Sequence, residues 1–149
     1  TADVFRGEWF RTGDLATRDE RGFYYIVGRT KDMIRRSGEN IAAREVEVVV
    51  LMLPEVVDAA VIPVPDADRG EEVKIYLALQ PGLTAKDLPP ERVQAHCRAK
   101  LASFKVPRYY HYIAEMPRTA SNKIEKGGLK TLTPDLRTGA FDVIDGIWR

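Results

Sequence analysis

The chain has 149 residues, and its 23 Lys and Arg against 22 Asp and Glu give a formal net charge of +1. This balance excludes a protein that binds nucleic acid through bulk charge. With 44% hydrophobic residues the composition is that of a folded domain. The richest apolar stretch, residues 46–53, is far shorter than the roughly 20 residues that span a bilayer. The single cysteine, Cys97, excludes an internal disulfide and a cysteine-rich zinc site, and we expect a cytoplasmic protein without a membrane span.

Two runs of aromatic and β-branched residues open the chain, at residues 9–15 and 23–29. The polar stretch between them ends in Asp19-Glu20-Arg21-Gly22, which favours a turn, so the sequence predicts a β-hairpin. Two strands alone are marginal in water. Because the chain also starts with Thr1, we expect it to be a piece of a longer protein and the hairpin to belong to a sheet formed elsewhere.

The middle of the chain alternates between helix and strand patterns. After a short irregular or extended piece at residues 33–41, the apolar positions at 46, 49, 50 and 53 fall on one helix face, and Pro54 ends the predicted helix. Strands are predicted at residues 57–64, 73–79 and 109–114, the second of them half-buried because polar and apolar residues alternate.

A second helix is predicted to start at Pro89-Pro90, with Cys97 as a small core residue on its apolar stripe. A last, weaker helix is predicted over residues 124–132, and the tail to Arg149 gives no clear signal. We therefore expect an α+β domain, with a central sheet of about three strands and flanking helices.

Charge is concentrated in the region 96–130, which holds eight basic residues and two acidic ones. This concentration indicates an anionic ligand or a solvated basic face, and charge alone does not separate the two. No glycine-rich phosphate loop, dinucleotide fingerprint or G-x-S-x-G motif is present. Any chemistry must depend on Asp, Lys, Arg and backbone groups.

Three patches carry such groups. Asp14 follows a glycine in Trp9-Phe10-Arg11-Thr12-Gly13-Asp14, and a carboxylate there can accept two hydrogen bonds from a ribose diol, although a simple turn has the same pattern. Residues 28–47 form the second patch. Near its start, Arg29 can bind a ribose or phosphate oxygen and Lys31 lies at the junction between hairpin and domain, although a charged linker has the same pattern. Lys123 lies on a loop of small residues, where it can stabilise an anionic transition state or be one more surface lysine.

In order and spacing, the three patches resemble the last quarter of the adenylate-forming superfamily, which includes acyl-CoA synthetases, peptide-synthetase adenylation domains and beetle luciferases. The resemblance fades after about Leu132. It implies that residues 1–31 are the tail end of a large N-terminal adenylation domain, with the hairpin and the hinge, and that residues 32–149 are the C-terminal lid domain. The sequence Gly38-Glu39-Asn40-Ile41 resembles the acyl-CoA ligase form of the hinge motif.

The resemblance also implies a two-step reaction and roles for particular residues. A carboxylate attacks the α-phosphate of ATP, giving an acyl-adenylate and pyrophosphate, and the thiol of CoA then displaces AMP. Lys123 is the implied catalytic residue of the first step, Asp14 and Arg29 bind the nucleotide, and Lys31 is the hinge. The implied CoA-binding residues are Ser37, Gly38, Glu39, Phe104, Lys105 and Arg108.

The implied partners are the N-terminal domain of the same protein, a carboxylic acid, ATP and CoA, with no nucleic acid. Mg²⁺ is expected with ATP but not on residues of this chain, which alone should be inactive. Two positions depart from the family pattern: Asn122 stands where many members have glycine, and Val106 lacks a basic side chain that some relatives carry. The alternative is a free-standing basic α+β binding module for an anionic partner, which has no need of both Asp14 and Lys31 motifs at this spacing.

Overall fold

The computed structural model describes residues 4–149 and contains three helices and eleven strands within them. Seven strands form one mixed sheet, and the first four form two separate ribbons. We find no helix in this range with the length and apolar character needed to cross a membrane. The elements are β1 Phe5–Arg6, β2 Trp9–Phe10, β3 Asp14–Arg18, β4 Tyr24–Arg29, β5 Met33–Arg36, β6 Glu39–Ala42, α1 Ala43–Val50, β7 Val56–Asp66, β8 Gly70–Leu79, α2 Pro90–Lys100, β9 Tyr109–Tyr112, α3 Lys126–Leu129, β10 Phe141–Asp142 and β11 Ile147–Trp148.

The predicted N-terminal hairpin is confirmed in β3 and β4. These strands pair antiparallel from Asp14 opposite Arg29 to Arg18 opposite Tyr24. The short ribbon of β1 and β2 precedes them. Large apolar side chains of both ribbons face solvent, with Trp9 81% and Ile26 72% exposed. The two ribbons therefore present an apolar surface that the described residues do not cover.

A single 3₁₀ turn, Thr30–Asp32, joins the hairpin to the main sheet. The extended piece predicted at residues 33–41 is a second hairpin, made of β5 and β6. Its two-residue turn has φ of 52° at Ser37 and 86° at Gly38. Two successive positive φ values are characteristic of the tight turn that matches the twist of antiparallel strands.

The three predicted long strands are confirmed at the centre of the main sheet. β7 and β8 pair antiparallel over their whole length, and β9 runs parallel to β8 on its other side. Helices α1 and α2 pack on one face, where the predicted stripe residues Val46 and Cys97 are fully buried. Helix α1 is shorter than predicted, because the chain leaves it after Val50 in a series of turns before Pro54.

The second face of the sheet differs from the prediction. β8 is buried on both faces, including Lys74 and Tyr76, so the half-buried strand predicted from alternation is wrong. The physical reason is that residues 129–140 cover this face, with Leu129 packed against Tyr76. The predicted last helix is reduced to the single turn α3, which contains Gly127 and Gly128, and glycine disfavours helix.

The tail also contributes strands that its sequence did not predict. β10 pairs with β9, and β11 pairs with β10, both antiparallel. Together with β5 and β6, these two-residue strands extend the sheet from the predicted three strands to seven. The domain therefore keeps the predicted α+β class with a wider sheet.

Candidate functional site

A basic cleft of about 510 Å³ lies between the 3₁₀ turn and the loop that carries Lys123. Its walls contain five cationic side chains and two carboxylates, so its charge suits an anionic ligand. The cations are Arg29, Lys31, Lys123, Lys126 and Lys130, and the carboxylates are Asp32 and Glu125. The structure thus brings together Arg29, Lys31 and Lys123, three of the predicted site residues.

Asp14 and Arg29 are held next to each other by strand pairing. They are opposite residues of β3 and β4, and Arg29 Nε donates to Asp14 Oδ1 at 2.7 Å. This hydrogen bond lowers the pKa of the Asp14 carboxyl below its ordinary value. Asp14 is therefore an anion, and its two carboxylate oxygens have enough lone pairs to accept a further hydrogen bond from a ribose hydroxyl beside those from Arg29 and Thr12.

Lys31 lies in the 3₁₀ turn at the junction of the two sheets, and its side chain is exposed. The flanking residues Arg29 and Met33 have extended backbones, with ψ of 145° and 134°. A single turn between extended residues is a place where a small change in backbone torsions reorients the rest of the chain.

Lys123 projects from a tight reversal of the chain. Thr119 N donates to Lys123 O at 2.8 Å, and Asn122 N donates to Thr119 O at 2.9 Å. Asn122 has a φ of 61°, which asparagine tolerates better than most residues, so it can replace the glycine of the family pattern. The Lys123 side chain is exposed in the cleft and has no ion-pair partner among residues 4–149.

The predicted CoA-binding residues lie outside this cleft. Ser37, Gly38 and Glu39 are exposed at the β5–β6 turn and do not line it. Phe104 is half-buried against the core. Lys105 Nζ lies 2.7 Å from Glu45 Oε1, so its charge is already paired within the domain.

Arg108 forms more ion pairs within the domain than Lys105 does. Its Nε and Nη2 each donate to the buried Asp142 carboxylate at 3.0 Å, and Asp66 and Asp145 lie within 3.7 Å. The guanidinium lines a second cleft, of about 350 Å³, together with Arg36 and Arg98. Phosphate binding by Arg108 therefore requires competition with three carboxylates.

Sequence reasoning missed the residues that support the main cleft. Lys126 Nζ lies 2.7 Å from Glu47 Oε1 and 4.0 Å from Asp32 Oδ2, and it was predicted only as one member of the basic region. Lys130 also lines the cleft. Their proximity to Lys31 depends on packing between segments nearly a hundred residues apart, for which the sequence carries no spacing signal.

The cleft residues do not fit a magnesium site. Mg²⁺ prefers several oxygen ligands, but this cleft holds two carboxylates among five cations. No group of three or more His, Cys, Asp or Glu residues in the described part of the chain is arranged to hold a metal ion. We therefore assign no metal-dependent step to these residues.

Known proteins are similar to this chain in sequence and in fold. The chain is 43% identical over 127 residues to a mitochondrial medium-chain acyl-CoA ligase of Mus musculus, covering 85% of this chain and 20% of that protein. It is 40% identical over 142 residues to a long-chain-fatty-acid–CoA ligase of Yersinia pestis, covering 95% and 24%. An o-succinylbenzoate CoA synthetase of Bacillus subtilis, solved with its acyl-adenylate intermediate, matches with a TM-score of 0.77 and 35% identity, covering 89% and 26%.

The chain thus spans about a quarter or less of the length of these curated relatives. The match over residues 45–123 to the family described as the AMP-binding enzyme C-terminal domain includes most of α1, the three central strands β7, β8 and β9, and Lys123 itself. The fold, the relatives and this match agree, and the chain belongs to the AMP-binding enzyme C-terminal domain family.

Proposed function

We propose that the chain is the C-terminal portion of an ATP-dependent, AMP-forming acyl-CoA ligase. Residues 1–31 end the large adenylation domain and residues 32–149 form the lid. The observation that carries this proposal is the convergence of Arg29, Lys31 and Lys123 on one basic cleft. A lid that supplies a single lysine to a site formed mainly by another domain is inactive alone.

In the first step, the substrate carboxylate attacks the α-phosphate, a P–O bond forms, and pyrophosphate leaves with the electrons of the broken P–O bond. Lys123 stabilises the negative charge that develops on the carboxylate and phosphate oxygens. Its ammonium group, which is exposed in the cleft and has no ion-pair partner among residues 4–149, supports this role. Asp14 holds the ribose hydroxyls and Arg29 supports the nucleotide.

In the second step, the CoA thiol attacks the acyl carbon and AMP leaves. Rotation about Lys31 removes Lys123 from the reaction centre and brings the Ser37-Gly38-Glu39 turn to the pantetheine passage. Phe104 stacks on the adenine, and Lys105 and Arg108 contact phosphates after exchanging a carboxylate partner. The exposed position of the turn, outside the Lys123 cleft, supports two separate working faces.

The missing partner domain explains the uncovered apolar surface of the N-terminal ribbons. Large apolar side chains such as Trp9, Phe10 and Ile26 are exposed on these ribbons, as on surfaces that another domain covers. We infer that the N-terminal domain covers them and that the enzyme is cytoplasmic. The alternative, a basic module for an anionic partner, is less well supported as a nucleic-acid binder, because Tyr109 and Tyr110 in the basic region are buried and cannot stack on bases.

The test is ATP–pyrophosphate exchange by the full-length protein with a panel of carboxylic acids, followed by thioester formation on addition of CoA. We expect exchange that depends on at least one acid and does not require CoA. The absence of exchange with short-, medium- and long-chain acids, from a folded protein that binds ATP, would contradict the proposal.

A further inference from the structure

The segment 118–126 contains three cations, and they differ in their partners. Arg118 and Lys126, the first and last residues of the segment, form ion pairs with carboxylates of other elements. Lys123, between them, has no ion-pair partner among residues 4–149. The reversal itself is small and its tip is exposed. The position of Lys123 therefore depends on how the ends of this segment are held.

Arg118 holds one end to the sheet. Its Nη2 pairs with the carboxylate of Asp58 on β7, and its Nη1 donates to the carbonyl oxygen of Asn122 at 2.9 Å. A planar guanidinium fixes both directions at once. Asn122 directly precedes Lys123 and has the left-handed backbone that turns the chain. Arg118 thus connects β7 to the peptide bond that aims Lys123.

Lys126 holds the other end to helix α1. Its Nζ lies 2.7 Å from Glu47 Oε1, and the Glu47 side chain is only 7% exposed. The same oxygen accepts a hydrogen bond from Val61 N at 2.9 Å. A buried carboxylate with two partners is a rigid anchor, because it cannot change its position without losing a hydrogen bond. Asp32, next to the hinge residue Lys31, lies 4.0 Å from the same ammonium group.

We infer that Arg118 and Lys126 are positioning residues, which hold the reversal so that Lys123 reaches the reaction centre. The inference rests on the proposed function, since it assigns these residues to the adenylation step. Misplacement of a catalytic group by about 1 Å can cost on the order of 100-fold in rate. Loss of either anchor therefore slows adenylation while leaving the thiol step, in which Lys123 takes no part, unchanged.

If the Arg118–Asp58 pair only stabilised the fold, its loss would slow the enzyme by unfolding the domain. The Arg118 and Asp58 side chains are 33% and 23% exposed. Ion pairs with this degree of exposure contribute only about 0.2–1 kcal/mol to stability. The domain should therefore stay folded without the Arg118 pair, and a rate effect must come from the geometry of the loop.

The experiment compares both half-reactions in the full-length protein carrying Arg118→Met or Asp58→Asn. We expect kcat of ATP–pyrophosphate exchange to fall about 10- to 100-fold with KM for ATP near its original value. Thioester formation from supplied acyl-adenylate and the melting temperature should remain near those of the unsubstituted protein. Arg118→Lys should restore part of the exchange rate, because an ammonium group reaches Asp58 but lacks the fork.

Lys126→Met and Lys126→Arg test the second anchor in the same way. Lys126→Met also leaves the buried Glu47 unpaired, so the Arg118 variants decide the inference if this variant fails to fold. Arg137→Met is the matched control. Its exposed pair with Asp135 lies outside the cleft, and we expect both half-reactions to be unchanged.

Equal loss in both half-reactions, or full exchange activity in Arg118→Met while Lys123→Ala is inactive, would overturn the inference. These outcomes differ from failure of the proposed function, in which the unsubstituted protein shows no exchange at all.

Discussion

Lys74 is a fully buried lysine, and no carboxylate of residues 4–149 lies within hydrogen-bonding distance of its ammonium group. Its Nζ donates to Leu136 O at 2.5 Å and lies 4.4 Å from the centroid of the Tyr76 ring. Burial lowers the pKa of Lys74 to about 8, against a smaller opposing effect of Asp135. Burial and the Lys74 charge together lower the pKa of the neighbouring His111 to about 4. The second face of the sheet therefore contains a charge that destabilises the folded state at neutral pH.

Lys74 should also make the free energy of unfolding depend on pH. The pKa of Lys74 is about 8 in the folded chain and 10.5 in a free lysine. Between these two pH values, the Lys74 side chain keeps its proton in the unfolded chain and loses it in the folded chain. Stability should therefore rise with pH across this window, by up to about 3 kcal/mol. Lys74→Met should be more stable at pH 7 and lose this rise. Urea unfolding at pH 7 and pH 10 measures both effects.

The control for this prediction is Lys86→Met, which replaces an exposed lysine. It should behave like the unsubstituted chain at both pH values. If Lys74→Met keeps the same difference between pH 7 and pH 10, Lys74 is not the group responsible.

At the scale of elements, the C-terminal segment completes the domain. The buried Asp142 accepts two hydrogen bonds from Arg108 and two from Arg149, and it also accepts from Ile144 N at 3.0 Å. Burial opposes its ionisation, yet the hydrogen bonds from both arginines bring the pKa of Asp142 to about 2. One carboxylate therefore joins β10 and β11 to the strand after Arg108.

Gly139 tests how closely this segment packs on the sheet. It has a φ of +75°, and a Cβ there would come within 2.7 Å of the His111 ring. Gly146 has a similar φ of +68° but nothing within 4 Å of such a Cβ. Gly139→Ala should therefore cost more stability than Gly146→Ala, which carries only backbone strain of about 1–2 kcal/mol.

Urea unfolding of the two variants measures the difference, which we expect to exceed 1 kcal/mol because overpacking typically costs about 1–3 kcal/mol. Equal losses would show that residues 131–140 do not pack on His111 as the structure has them.

Sequence reasoning succeeded for elements whose signal is periodic and failed for those held by tertiary contacts. The stripe in α1 and the long runs of β7 and β8 are long enough to define their type. The two-residue strands β10 and β11 are too short to show any period. Resemblance of motifs singled out Arg29, Lys31 and Lys123, which line one cleft, and their roles stay predictions. The Arg118–Asp58 pair joins residues 60 apart and leaves no local pattern.

At the scale of the whole molecule, the main feature is the junction around Lys31, which we propose as the hinge. Among residues 4–149, no hydrogen bond or ion pair recorded in the structure joins residues 4–29 to residues 33–149. Within residues 4–149, the two parts are connected by the turn Thr30–Asp32 and by the packing of β4 against α1 and β6. The proposed rotation about Lys31 would therefore break few polar contacts, apart from the 4.0 Å approach of Lys126 to Asp32.

Lys31→Pro should restrict this rotation, because proline fixes φ and also restricts the preceding residue. In the full-length protein, we expect the rate of thioester formation to fall more than that of ATP–pyrophosphate exchange. Lys31→Ala, which keeps the backbone free, should retain the original ratio of the two rates. Single-turnover measurements of each step give that ratio, and an unaltered thiol step in Lys31→Pro would reject Lys31 as the hinge.

The most direct measurement is the effect of Lys123→Ala on each half-reaction of the full-length protein. Loss of one charge-stabilising contact costs about 3 kcal/mol, so ATP–pyrophosphate exchange should fall about 100- to 1,000-fold. Thioester formation from supplied acyl-adenylate should stay close to its original rate. Retained exchange, or an equal loss in both steps, would contradict the assignment of Lys123 to adenylation.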